Sequence, residues 1–216
     1  MSKLISILGD SISTFRGVSN DPIANLTTGR NPWYYREAFP LEGTYWSLFM
    51  KEFDLELCVN NSWSGGNLSG RDDDSSGVNR AYQLANDDGK SPDIILLFMG
   101  INDLGRGIAT DVFESDYRET LAIIAREYKG AEVLCVNLPD RDIMLRERCN
   151  AFNAIIRQAV LDMGEGFYLA DLASSRMRGD FYYMNTIDGL HPDEDGMRYI
   201  AEVVIDAWRE RDSIKK

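Results

Sequence analysis

The chain contains a single histidine, His191, in the stretch Asp188-Gly189-Leu190-His191-Pro192. An imidazole is the side chain whose ordinary pKa lets it take up and return a proton near neutrality, so this residue is a candidate base. Asp188 lies three residues earlier in a Gly- and Pro-bounded stretch, where a turn can bring its carboxylate to one ring nitrogen. The other nitrogen is then open to a hydroxyl. Ser11, in Gly9-Asp10-Ser11-Ile12-Ser13, is the best placed, because it directly follows a short apolar run and would stand at a strand's carboxyl end. Ser11, His191 and Asp188 thus supply a nucleophile, a base and an orienting acid. Ser13, Ser62 and Ser64 are rival hydroxyls that lack this position. Each stretch also has a plainer reading: Gly-Asp-Ser as a turn or cap sequence, and the histidine as a packing or surface residue.

A hydroxyl that attacks an ester generates an oxyanion, which needs donors placed in advance. Two more stretches offer them: Asn60-Asn61-Ser62-Trp63-Ser64-Gly65-Gly66-Asn67 and Gly100-Ile101-Asn102-Asp103, each following an apolar run. The expected donors are the backbone N–H groups of Ser11 and Gly65 and the side-chain amide of Asn102. The alternatives are a flexible turn at Gly65-Gly66 and a helix cap at Asn102-Asp103. Aromatic residues cluster in Asn31-Pro32-Trp33-Tyr34-Tyr35 and Phe181-Tyr182-Tyr183, and their ring faces suit sugars or acyl chains. The expected substrate contacts are Asp10, Trp33, Tyr34, Trp63 and Tyr183. Packing of the rings onto the domain is an equally open reading for any one of them.

These residues must be positioned by regular elements. Five apolar runs, at 4–8, 55–59, 94–99, 133–136 and 167–170, read as strands. Helical spacing links Trp46, Phe49, Met50 and Phe53; Phe113, Tyr117, Leu121, Ile124 and Tyr128; Phe152, Ile155, Ile156, Ala159, Val160 and Met163; and Met197, Ile200, Ala201, Val204 and Trp208. The run at 94–99 is apolar at every position, the mark of a parallel strand covered on both faces. Alternating strands and helices predict an α/β fold, a three-layer α/β/α sandwich with a five-stranded parallel sheet. The flavodoxin-like order 2-1-3-4-5 places ligand outside the carboxyl ends of the first three strands, where the polar turns lie. Residues 16–43 are too long for an idle connection and read as a functional loop. The charged run at 72–76 reads as a solvated helix start with no specific task.

A chain of 216 residues with 44% hydrophobic content favours one domain. Its 23 Lys and Arg against 35 Asp and Glu give a formal charge of -12, which repels nucleic acid and anionic membranes. Cys58, Cys135 and Cys149 are odd in number and without metal-ligand spacing, so they read as reduced core or near-core residues. The N-terminus shows no cleavage-site pattern, and no run approaches the ~18 apolar residues of a membrane span. A cytoplasmic protein is expected, with a homo-oligomer left open.

With these residues in view, the chain resembles the SGNH hydrolases, the Gly-Asp-Ser-type esterases and lipases. The resemblance rests on Ser11 in Gly-Asp-Ser, Gly65 in Ser-x-Ser-Gly, Asn102 in Gly-x-Asn-Asp, and Asp188 with His191 in Asp-x-x-His-Pro. The four blocks stand in family order across nearly the whole chain. It implies a three-layer fold, no metal or other cofactor, and hydrolysis of a small-molecule acyl ester through an acyl-serine. Ile12 replaces the usual leucine, and Gly66 stands where many members have aspartate. The expected substrate is a short acyl group, acetyl above all, on a carbohydrate or similar polar alcohol. A lysophospholipase or thioesterase is the alternative within the same mechanism. Two other classes compete: a metal-dependent phosphoesterase using Asp10, Asn102, Asp103 and His191 as ligands, and a binding module that has lost turnover.

Overall fold

The computed structural model of the protein describes residues 2–19, 32–37, 39–140 and 142–214. In chain order its main elements are β1 (Leu4–Gly9), α1 (Tyr45–Glu52), β2 (Glu56–Ser62), α2 (Gly77–Arg80), β3 (Ile94–Phe98), α3 (Ile101–Arg106), α4 (Thr110–Glu127), β4 (Glu132–Val136), α5 (Arg146–Met163), β5 (Phe167–Ala170), α6 (Gly179–Met184) and α7 (Glu194–Ile214). The strands form one parallel sheet in the order β2-β1-β3-β4-β5, as expected from the sequence. α1 packs on α7 on one face of the sheet, while α2, α4 and α5 pack together on the other.

Every residue of β3 is buried, as a strand with helices on both faces must be. The helical faces read from the sequence are those turned inward: Phe113, Tyr117, Leu121 and Ile124 of α4, and Met197, Ile200, Ala201, Val204 and Trp208 of α7, are all buried. Burying each large side chain stabilises the fold by roughly 1.5–3 kcal/mol. Phe113 stacks on Phe152 of α5 with ring centroids 4.1 Å apart, and Trp208 meets Phe49 of α1 edge-on at 5.8 Å. Burial of this kind, more than helix propensity, fixes where α4, α5 and α7 lie.

β2 runs three residues further than its apolar run. Asn60, Asn61 and Ser62 are buried although polar, because the Asn60 amide donates to Ser13 O (3.0 Å) and the Asn61 amide to Gln83 O (3.1 Å). The first bond ties the end of β2 to the turn after β1, and the second ties it to the segment after α2. The three short helices α2, α3 and α6 are absent from the sequence pattern, since four to six residues cannot display a helical period. The register of β1 against β2 shifts between Ile5 and Ser6, opposite Cys58. Cys58 is half-buried, Cys135 and Cys149 are buried, and all three are free thiols. Among the described residues no helix is long and apolar enough to cross a membrane. Of the loop at 16–43, residues 20–31 and 38 lie outside the described residues, Asn31 among them.

Candidate active site

β1 ends at Gly9, where a Cβ would come within 2.5 Å of the Ser13 side chain, so only glycine fits there. Asp10 then caps a single helical turn, Ser11–Ser13, by accepting from Ile12 N (3.0 Å), and the turn presents the Ser11 hydroxyl at the carboxyl end of the sheet. His191 Nε2 lies 2.9 Å from Ser11 Oγ, and its Nδ1 lies 2.9 Å from Asp188 Oδ2, so residues 180 positions apart meet in one line. The other oxygen of Asp188 accepts from Leu190 N (3.0 Å) and His191 N (2.8 Å), folding the 188–191 turn around the carboxylate. Partial burial alone would raise the Asp188 pKa. The bonds from His191 N, the His191 ring and Leu190 N outweigh it and hold the carboxyl below its usual value. An ionised carboxylate can only accept, so Nδ1 carries the ring proton and Nε2 is left to accept the one on Ser11.

Tyr182 and Tyr183 of α6 support this turn from outside. Tyr182 OH donates to Leu190 O (2.7 Å), and a Cβ at Gly189, whose φ is +84°, would fall 2.7 Å from the Tyr183 ring. Tyr183 is itself 63% exposed and does not line the cleft. Its observed contact is with the 188–191 turn.

The cleft above Ser11 measures about 540 Å³ and is lined by Ser11, Trp33, Ser64, Gly65, Asp73, Ser75, Asn102, Arg106, Leu190 and His191. A larger groove of about 820 Å³ runs beside β5 between α5 and α7, but no serine, cysteine or histidine lines it. The three expected donors all border the cleft. Among the described residues, neither Ser11 N nor Gly65 N donates to a protein acceptor. Asn102 Nδ2 gives one hydrogen to Gly66 O (3.0 Å), which fixes the amide and leaves the second hydrogen to a ligand. Gly65 has φ +72°, a conformation that glycine adopts without strain. At Gly66, the departure from the family pattern, a Cβ would lie 2.9 Å from Ser75 O and 3.2 Å from Arg80 Nη2. The turn is packed so closely on its neighbours that a side chain at this position would displace it.

Beneath the cleft lies a buried polar scaffold that the sequence did not reveal. Arg80, fully buried, donates to Gly9 O (3.0 Å) and Ser75 O (2.9 Å) and bonds Asn61 O, joining the turns after β1 and β2. Both oxygens of buried Asp103 are taken, by Leu68 N (2.7 Å) and Ser69 N (2.9 Å), so α3 is locked to the Gly65 turn. Desolvation exceeds these bonds and raises the Asp103 pKa. Asp116 likewise accepts from Gly70 N (3.1 Å) and from Arg71.

Three more of the expected substrate contacts are not among the residues that line the cleft. Asp10 is 2% exposed and lies under the cleft, where burial pushes its carboxyl up to about 7 against the bonds and the Arg80 charge that favour ionisation. Tyr34 is buried, its hydroxyl donating to Pro192 O (2.8 Å), and Trp63 is buried with Arg80 over its ring. Trp33 does border the cleft, stacked on His191. In the charged run, Ser76 caps α2 as expected of a helix start. Asp73, however, reaches the cleft wall and accepts from Ser75 N and Oγ, so the run is not idle. Of the ligand set weighed for a phosphoesterase, one Asp10 oxygen and both Asp103 oxygens accept from backbone N–H groups.

The family model of the GDSL-like Lipase/Acylhydrolase family matches residues 7–199, which spans the blocks carrying Ser11, Gly65, Asn102, Asp188 and His191. The chain belongs to this family. Its SGNH-type architecture recurs in solved structures. A protein described as a GDSL-like lipase from Bacteroides uniformis is 26% identical, with 95% of this chain and 94% of that one covered and a TM-score of 0.68. One from Bacteroides ovatus is 22% identical, covering 97% and 99%, with a TM-score of 0.67. A family two carbohydrate esterase from Clostridium thermocellum is 15% identical, covering 99% of this chain and 64% of that one, with a TM-score of 0.66. Among curated proteins nothing matches. Membership in a family of lipases and acylhydrolases supports a hydrolase.

Proposed function

We propose that the protein is a serine esterase that removes short acyl groups, acetyl above all, from carbohydrates or similar polar alcohols. The observation that carries the proposal is the unbroken line Asp188–His191–Ser11, with both bonds at 2.9 Å, beside a cleft lined by Ser11, Gly65 and Asn102. Ser11 Oγ attacks the acyl carbon as His191 Nε2 takes its proton, and the carbonyl oxygen becomes an oxyanion held by the three donors. His191 returns the proton to the leaving alcohol as its bond to the acyl carbon breaks. Water, giving a proton to the same nitrogen, then attacks the acyl-serine, and that proton passes to Ser11 Oγ as its bond to the acyl carbon breaks and the acid is released.

The cleft walls support a small acyl group and a polar alcohol. Apart from the reacting residues, Trp33 and Leu190 supply the apolar surface, while Ser64, Asp73, Ser75 and Arg106 are polar. A long chain would need a continuous apolar trough to recover its transfer free energy of ~0.8 kcal/mol per methylene. Likeness in fold to a carbohydrate esterase agrees with this reading. The test compares kcat/KM for p-nitrophenyl acetate and octanoate, and for acetylated sugars and a lysophospholipid. Acetate and acetylated sugars should lead; preference for the octanoate or the lysophospholipid would contradict the substrate class.

A further inference from the structure

We infer that Trp33 is a positioning residue for the base, its indole lying flat on His191 so as to hold the imidazole in line and favour its protonated form. The inference rests on the proposed role of His191. The two rings are stacked with centroids 3.6 Å apart and planes 13° from parallel. The ring edge of His191 is occupied by Asp188 at Nδ1 and Ser11 at Nε2, so the indole covers a face that no other hydrogen-bonding partner could orient.

The placement is built from both sides of the site. Trp33 N donates to Thr14 Oγ1 (2.9 Å), whose own hydroxyl donates to Ser11 O (2.8 Å), fastening the indole's backbone to the nucleophile's turn. Arg16 N donates to Tyr34 O (2.9 Å), and Tyr34 OH donates to Pro192 O (2.8 Å), fastening the next residue to the one after the base. Residues 33 and 34 therefore form a strap from Ser11 to Pro192, with the indole clamped on the ring between them. An aromatic face attracts a cation, and the attraction grows as water is excluded. His191 is 6% exposed, so the imidazolium formed during attack has little water to solvate it. The Asp188 side chain is 38% exposed and its charge is screened accordingly. The indole supplies stabilisation on a side that the carboxylate cannot reach. Other titratable or charged groups nearby are Asp10 and Asp193, which with Tyr182 and Asp188 act on the Tyr34 hydroxyl, and Asp73 and Arg106 on the cleft wall. Replacing Trp33 alters none of them directly.

The experiment measures the acid limb of kcat/KM against pH for p-nitrophenyl acetate in the wild-type protein, Trp33→Leu and Trp33→Phe. Leucine keeps an apolar cover and loses the aromatic face; phenylalanine keeps a weaker one. Trp33→Leu should move the acid limb down by about 0.5 to 1 pH unit. Its plateau kcat should fall about tenfold as the ring loses its fixed plane. Trp33→Phe should recover more than half of both effects. An unmoved acid limb in Trp33→Leu, with only KM raised, would make Trp33 a substrate contact and overturn the inference. So would an equal shift in both variants. Ser11→Ala, run in parallel, separates this from failure of the esterase reading: full turnover in that variant removes the role assigned to His191 itself.

Discussion

Replacing Asp188 by asparagine should disable the site through the imidazole tautomer while leaving the fold nearly intact. One carboxylate oxygen receives two backbone donors, Leu190 N at 3.0 Å and His191 N at 2.8 Å, and the other receives the ring Nδ1. An asparagine has one acceptor oxygen, and two donors claim it, so the amide NH2 must face Nδ1. Nδ1 then accepts, the ring proton moves to Nε2, and Nε2 can no longer take the proton of Ser11. The same Asp→Asn exchange in the serine-protease triad costs about 10⁴ in kcat, or roughly 5.5 kcal/mol of barrier. Here Asp188 is 38% exposed, and water can satisfy part of a flipped amide, so a loss of about 10³ to 10⁴ is expected. The assay is kcat for p-nitrophenyl acetate between about pH 6 and 9, with thermal unfolding followed in parallel. Activity within tenfold of wild type, in folded protein, would refute the tautomer argument.

Two further outcomes follow from the donors and the buried carboxylates. Asn102→Ala removes a side-chain donor and should raise the barrier by about 3 kcal/mol, read as a loss of about 10² in kcat with KM nearly unchanged. Because Asp10 has its folded pKa raised by burial to about 7 from an ordinary 3.8, its contribution to stability is fully present below pH about 4 and is lost as pH rises through 7. The full span is on the order of 4 kcal/mol, so Asp10→Asn should flatten the pH dependence of the unfolding free energy across that window, as chemical denaturation would show. An unchanged profile would mean that Asp10 is ionised when folded.

The parts of the fold that follow from water exclusion were readable in the chain. The runs at 94–99 and 133–136 and the faces at 113–124 and 197–208 show their burial as local apolar spacing, and the structure has them as β3, β4, α4 and α7. The gathering of Ser11, Gly65, Asn102 and His191 on one cleft, with Asp188 bonded to the ring, was readable because each stands in a short turn sequence directly after a strand or before the last helix. The scaffold under them was not. Arg80, Asp103 and Asp116 are charged side chains of a kind normally exposed, and what buries them is bonding to backbone up to 71 residues away. No local pattern encodes such pairing. Trp33 and Tyr34 make the same point: adjacent in sequence and alike in chemistry, one lies on the base and the other is buried against Pro192. The path of the loop decides between them.

The central claim, that the Ser11 hydroxyl becomes acylated in turnover, is tested most directly by mixing enzyme with excess p-nitrophenyl acetate, quenching in acid within the first turnovers and measuring intact mass. A species heavier by one acetyl group, mapped to Ser11 and missing from Ser11→Ala, is the predicted result. Steady turnover with no acylated protein, or undiminished turnover in Ser11→Ala, would contradict it.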